Sequence, residues 1–79
     1  MSKFNRIVSK VLKIKASRIT DRTSPINVKS WDSFRGLLLI TEIEKGFGVK
    51  FSMQEILTIK DIASLKKILK SHGINPDEA

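Results

Sequence analysis

The 79-residue sequence predicts an all-α fold, a small bundle of four helices. Three observations favour this class. Apolar residues recur at helical spacing near both ends of the chain, as in Phe4, Ile7 and Val8 and again in Leu65 and Ile68. Residues that typically start or stop helices lie beside these runs. No segment shows the alternation of apolar and polar residues that marks a half-buried strand.

The predicted elements are three longer helices and one short third helix. Their expected ranges are 3–14, 33–45, 52–57 and 59–72. Each has a candidate N-cap at its start or just before it, and these are Ser2, Asp32 or Ser33, Ser52 and Thr58. Ser52 and Glu55 also have the spacing of a capping box. Gly73 is a candidate C′ residue with Ile74 packing back in a Schellman motif, and the tail 74–79 is expected to fray.

A long loop connects the first two helices. Residues 15–32 lose helical periodicity and are rich in Ser, Thr, Asp and Asn. Loops of this length are uncommon in a compact domain and are often functional. Its apolar residues are expected to anchor it to the core, and these are Ile19, Ile26, Val28 and Trp31.

Composition excludes several kinds of chemistry. The chain has no cysteine, so it forms no disulfide and offers no thiolate to a metal or a substrate. Its single histidine, His72, rules out a histidine-based metal cluster, and no stable metal site is expected. No apolar run is long enough to span a membrane, and the N-terminal residues lack a signal-peptide block, so a cytoplasmic protein is expected. No convergent acid–base set indicates an enzyme.

The charge balance leaves one alternative open. Fifteen Lys and Arg against eight Asp and Glu give a formal net charge of +7. Such a balance is compatible with a nucleic-acid-binding protein, because phosphate neutralisation drives non-specific binding. However, the second helix carries one arginine near its start and no clear set of base-reading side chains, which disfavours this class.

The feature that indicates a function is the segment SWDSFRGLLLITEIEKGFGVKFSMQEILTIKDIASL, with Asp32-Ser33-Phe34 opening the second helix. With the preceding loop and the turn EKGFGVKFS, it resembles the acyl carrier protein family, including peptidyl carrier domains. The resemblance covers nearly the whole chain and implies the four-helix bundle of that family. It also implies a carrier that is not itself an enzyme and works as a monomer.

By this resemblance, Ser33 receives a 4′-phosphopantetheine arm from coenzyme A, installed by a phosphopantetheinyl transferase. Asp32 is expected to help hold Mg²⁺ during that transfer, or simply to cap the helix. A helix start suits a phosphodiester, because free N–H groups and the positive dipole end face it. Acyl-loading and acyl-processing enzymes are the other implied partners.

The second helix also predicts which residues meet partners. At about 100° per residue, the core face is formed by Gly36, Leu39, Ile40, Ile43 and Phe47. Leu38 then points away from that face, with Leu37 on its flank. Partner contacts are expected at Phe34, Arg35, Leu37, Leu38 and Glu42.

Three residues depart from the family pattern. Phe34 replaces the usual Leu, Arg35 stands where acidic or small residues are frequent, and Leu38 stands where acidic residues are frequent. Typical carriers are acidic, whereas this chain has a pI of about 10.1. Since like charges exclude wrong partners, we expect a dedicated pathway with its own enzymes. An unmodified protein-interaction bundle of the same fold remains an alternative.

Overall fold

The computed structural model describes residues 2–77, and within them every regular element is helical. The four α-helices are α1 Lys3–Leu12, α2 Ser33–Phe47, α3 Met53–Leu57 and α4 Ile62–Ser71, and a short 3₁₀ turn at Ala16–Arg18 lies between α1 and α2. The all-α fold with a short third helix is thus confirmed. The first and last helices are shorter than expected, and α2 runs two residues longer, through Gly46 to Phe47.

The core lies between α1, α2 and α4. Its fully buried side chains include Phe4, Leu12, Leu39, Ile43 and Leu65. Gly46 allows α1 and α2 to approach closely, because a Cβ at this position would lie 2.7 Å from Ile7 Cδ1. A larger residue at this position would require the end of the Ile7 side chain to shift, while a glycine inside a helix costs about 1 kcal/mol relative to alanine.

The long loop is fastened to α4 as well as to the core. The carbonyls of Thr23 and Asp21 accept the first N–H groups of α4, from Ile62 at 2.9 Å and Ala63 at 3.0 Å. The Asp21 carboxylate also pairs with Lys66 at 3.2 Å. These bonds satisfy N–H groups that a helix start otherwise leaves without partners.

The apolar anchors of this loop are only partly those expected. Ile19 and Val28 pack against the core and Trp31 is buried. Ile26, in contrast, is 97 % exposed, so its expected anchoring role is wrong. The N–H groups of Asn27 and Val28 both bond to the Ser24 carbonyl, and this tight turn directs Ile26 outward.

Side-chain caps fix the starts of α3 and α4. Ser52 and Glu55 form the predicted capping box of α3. Thr58 does not cap α4, because its hydroxyl donates to the Glu55 carbonyl at the end of α3. Asp61 caps α4 instead, and its carboxylate accepts the N–H of Ser64 at 2.8 Å. The bond to the Ser64 backbone lowers the pKa of Asp61.

The chain after α4 is packed rather than frayed over the part that the structure describes. Gly73 has a φ of 80°, and Ile74 N–H donates to the Leu69 carbonyl at 3.0 Å, which completes the predicted Schellman motif. Pro76 is fully buried and Asp77 pairs with Lys66 at 3.1 Å. The expectation of a frayed tail is therefore wrong for 74–77, while 78–79 lie outside the described residues.

None of the helices within residues 2–77 has the length and apolar character needed to cross a membrane.

Candidate functional site

Ser33 is the first residue of α2 and is exposed. The preceding residue, Asp32, has extended backbone geometry and is the N-cap, with Oδ1 accepting the N–H of Arg35 at 2.8 Å. Its carbonyl accepts the N–H of Gly36, also at 2.8 Å. The N–H groups at the start of a helix favour an anionic group, so the cap places the Ser33 hydroxyl where a phosphodiester is electrostatically stabilised.

A groove of about 470 Å³ runs beside Ser33. Its lining comes from the loop, the first two turns of α2 and α3, and consists of Pro25, Trp31, Asp32, Ser33, Gly36, Leu37, Ile40 and Ile56. Apart from Asp32 and Ser33, these residues are glycine, proline or large apolar side chains. The groove therefore offers an apolar surface that begins beside Ser33.

Gly36 and Trp31 shape the floor of this groove. A Cβ on Gly36 would lie 3.1 Å from the indole Nε1 of Trp31, a tight approach that only glycine makes without displacing the ring. Trp31 is 6 % exposed and belongs to the core cluster. Gly36 thus admits the indole of Trp31 close to the start of α2.

Arg35 reaches from the start of α2 toward α1. Its Nη1 donates to the carbonyl of Val11 at 3.0 Å. That carbonyl lies in the last turn of α1, where helical carbonyls lack intrahelical partners. Arg35 thus ties the start of α2 to the end of α1, and this contact occupies a residue for which the sequence predicted a partner contact.

The exposed face of α2 differs from the predicted one. Leu38 is half-buried and packs against the core cluster, so its expected outward orientation is wrong. Phe34 and Leu37 are 72 % and 64 % exposed. With Thr41 and Lys45 they form an exposed stripe along the helix, because residues spaced by three or four positions share a face.

The acidic residues of α2 are held by neighbouring groups. Glu42 is half-buried and lies 3.8 Å from Lys45 Nζ. Glu44 accepts the backbone N–H of Phe51 at 2.8 Å, which fixes the turn before α3. Glu42, the one acidic residue predicted to contact a partner, therefore already has a cationic neighbour on its own helix.

The structure brings together other residues that sequence reasoning did not connect with Ser33. Pro25 and Ile56 reach the groove from the loop and from α3, and the sequence did not predict this because both residues are distant from Ser33 along the chain.

The ends of α3 and α4 are joined by a side-chain contact. Glu55 pairs with His72 Nε2 at 3.0 Å. The Ser52 N–H bond, together with His72, lowers the pKa of Glu55.

Within the described residues, no group of three or more His, Asp or Glu side chains is placed to hold a metal ion. Asp32 is a single carboxylate with one oxygen already engaged in the cap. Any Mg²⁺ contact at Asp32 would therefore need further ligands from a partner or a substrate.

The chain matches the model of a known protein family. Residues 2–69 match the family model described as the phosphopantetheine attachment site. The chain belongs to the acyl carrier protein family. Its cofactor is 4′-phosphopantetheine, and the family and the fold together support an acyl-carrier function. Proteins of this family are generally non-catalytic and work with modifying and acyl-processing enzymes.

A solved structure has the same fold. It is that of a protein from Mycobacterium tuberculosis, Rv0033, assigned as an acyl carrier protein, and it superimposes with a TM-score of 0.77 at 22 % sequence identity. The alignment covers 87 % of this chain and 92 % of that one. No curated protein sequence matches the chain.

Proposed function

We propose that Ser33 carries the phosphopantetheine arm and that the protein presents acyl groups on it as thioesters. The observation that supports this assignment is the exposed Ser33 hydroxyl at the capped start of α2. In the loading reaction, Ser33 Oγ attacks the phosphorus atom that bears pantetheine in coenzyme A. The P–O bond to adenosine 3′,5′-bisphosphate breaks, that leaving group takes the electron pair, and the serine proton passes to a base of the transferase.

Asp32 has a double part in this proposal. One carboxylate oxygen caps α2 and keeps Ser33 in the first turn. The other oxygen is free to join Mg²⁺ when coenzyme A and the transferase supply the remaining ligands, since Mg²⁺ is commonly bound by one or two carboxylates plus substrate phosphates.

The exposed stripe of α2 supports a particular kind of docking. Phe34 and Leu37 flank the attachment hydroxyl and offer apolar contacts. The charges of α2 cancel, because Arg35 and Lys45 balance Glu42 and Glu44. A basic docking patch on a partner would therefore find no net negative charge on α2 and a strongly positive protein behind it.

We infer from this charge pattern that the cognate enzymes belong to a dedicated biosynthetic pathway and read apolar contacts near Ser33. Efficient acylation of the holo protein by a standard fatty-acid-synthesis enzyme set, at the rate seen with an acidic carrier, would contradict this inference.

The attachment site is tested by intact mass after incubation with a broad-specificity phosphopantetheinyl transferase, coenzyme A and Mg²⁺. The wild type is expected to gain one phosphopantetheine group, and Ser33→Ala none. Ser17→Ala, which alters another exposed serine, is the matched control and should be modified like the wild type. Modification of Ser33→Ala would overturn the assignment, and a wild type that stays unmodified with its cognate transferase would favour the unmodified interaction bundle.

A further inference from the structure

A second cavity lies on the loop side of the molecule, between the end of α1, the 3₁₀ turn and residues 20–30. It is a half-open cavity of about 690 Å³, a volume within the range of small-molecule sites. It shares no lining residue with the groove beside Ser33. We call it the basic cavity, after the four cationic residues in its wall, which are Lys13, Lys15, Arg18 and Lys29.

The charge of the basic cavity is uncompensated within the part of the chain that the structure describes. No Asp or Glu is among its lining residues. The ion pairs found in residues 2–77 involve Lys45, Lys66 and His72, none of which lines the cavity. Beside the cavity, the carbonyls of Leu12 and Ile14 accept hydrogen bonds from the hydroxyls of Ser30 and Ser9.

The polar wall of the cavity is held in place by its own hydrogen bonds. Thr23 is 4 % exposed, and its hydroxyl accepts the N–H of Thr20 at 2.9 Å. The Asn27 amide bridges the loop, since it donates to the Arg22 carbonyl and accepts the N–H of Ser24, both at 3.0 Å. The loop is thus shaped before any ligand arrives, which lowers the ordering cost of binding.

We propose that the basic cavity binds a small molecule that bears a diphosphate group. Four cations around one concave site call for a ligand that concentrates several negative charges in a small volume, which a single carboxylate does not. A phosphate group carries roughly two negative charges near neutral pH and several acceptor oxygens. Lysine binds phosphate as a point charge and arginine binds it in a bidentate manner. The proposal concerns a site separate from Ser33 and does not depend on the carrier function.

The test is an NMR titration of the unmodified protein with inorganic pyrophosphate, with acetate at matched ionic strength as the reference. Saturable shifts are expected for the backbone amides of the cavity wall, with little change in α4. Removal of two cations in the double variant Lys15→Gln/Arg18→Gln should raise the Kd by on the order of tenfold or more, since each contributes Coulomb attraction at contact distance.

A charge-matched double variant on α4, Lys67→Gln/Lys70→Gln, is the control, because both lysines are exposed and lie outside the cavity. Equal weakening of binding in the two double variants would overturn the proposal, since the protein would then attract pyrophosphate through its net charge alone. Shifts spread over α1 and α4 in the wild type would overturn it too, and this mapping needs no variant to fold.

A short DNA duplex is the third probe. If it binds with a steep dependence on salt while pyrophosphate gives no saturable shift, the cationic surface is a nucleic-acid interface and the proposal is wrong. Ser33→Ala should bind pyrophosphate like the wild type, so failure of this site and failure of the arm assignment are distinguishable.

Discussion

Replacement of Arg35 by methionine tests whether this residue serves the fold rather than a partner. Methionine keeps an unbranched apolar stem and removes the guanidinium, so the bond to the Val11 carbonyl is lost. Val11 is buried, and its carbonyl would lie in the last turn of α1 without that partner. A hydrogen bond from a charged group contributes about 1.5–3 kcal/mol, and a buried acceptor left unsatisfied costs a similar amount.

We therefore expect Arg35→Met to lower the free energy of unfolding by about 1.5–3 kcal/mol. A domain of this length has a total stability of roughly 4–12 kcal/mol, so the change is large. The corresponding drop in Tm is on the order of 10 °C. Urea unfolding followed by far-UV circular dichroism measures the first quantity, and a thermal scan measures the second.

Arg22→Met is the matched control, because Arg22 is an exposed arginine of the loop and no ion pair of the described residues includes it. Its stability should stay within about 0.5 kcal/mol of the wild type. If Arg35→Met were as stable as Arg22→Met, the contact with Val11 would have no structural weight. If folded Arg35→Met were instead modified far more slowly at Ser33, the residue would act in docking, as the sequence first indicated.

Two further predictions follow from burial and from charge. Leu38→Glu should lower the free energy of unfolding by about 1–3 kcal/mol, because it places a carboxylate against the core. Leu37→Glu should change this free energy by less than about 0.5 kcal/mol, because Leu37 is exposed. Equal urea midpoints for the two variants would contradict the assignment of the exposed stripe. The pKa of Glu55 is lowered from 4.5 in the folded state, so its stabilising contribution is present above that value and is lost as the pH falls through the lower folded-state pKa. The urea midpoint of Glu55→Gln should accordingly change less than that of the wild type between pH 6 and pH 3, and parallel pH profiles would argue against the prediction.

The sequence could predict those parts of the fold that depend on local signals. The capping box at Ser52 and Glu55 and the Schellman motif at Gly73 were readable because all of their atoms come from residues within one or two turns. The start of α4 was predicted wrongly, because local signals alone offered two candidate caps. Thr58 and Asp61 are both good capping residues, and only the backbone geometry shows that Thr58 closes α3.

The helix-cap geometry at Asp32 and Ser33 follows from the sequence, whereas the residues around it were not all predicted correctly. Asp32 and Ser33 are adjacent residues at a helix start, so their geometry follows from the cap. The orientation of Leu38 did not follow from helical periodicity, since α2 is covered on most of its circumference and Leu38, Leu39 and Ile40 are all at least half-buried. The apolar residues of α2 are thus too widely spread around the helix for a single stripe to predict which of them are buried.

The position of Trp31 makes its intrinsic fluorescence a probe of the groove beside Ser33. The sequence has one tryptophan and no tyrosine, so its near-ultraviolet emission comes from a single indole. That indole, at the end of the loop before α2, lines the groove beside Ser33 and lies against Gly36 of α2. Trp31 is only 6 % exposed and also lines the groove, so a chain that entered the groove would contact the indole and is expected to alter its emission. We therefore expect cargo that enters the groove to be detectable as a change in the tryptophan emission of the unlabelled protein.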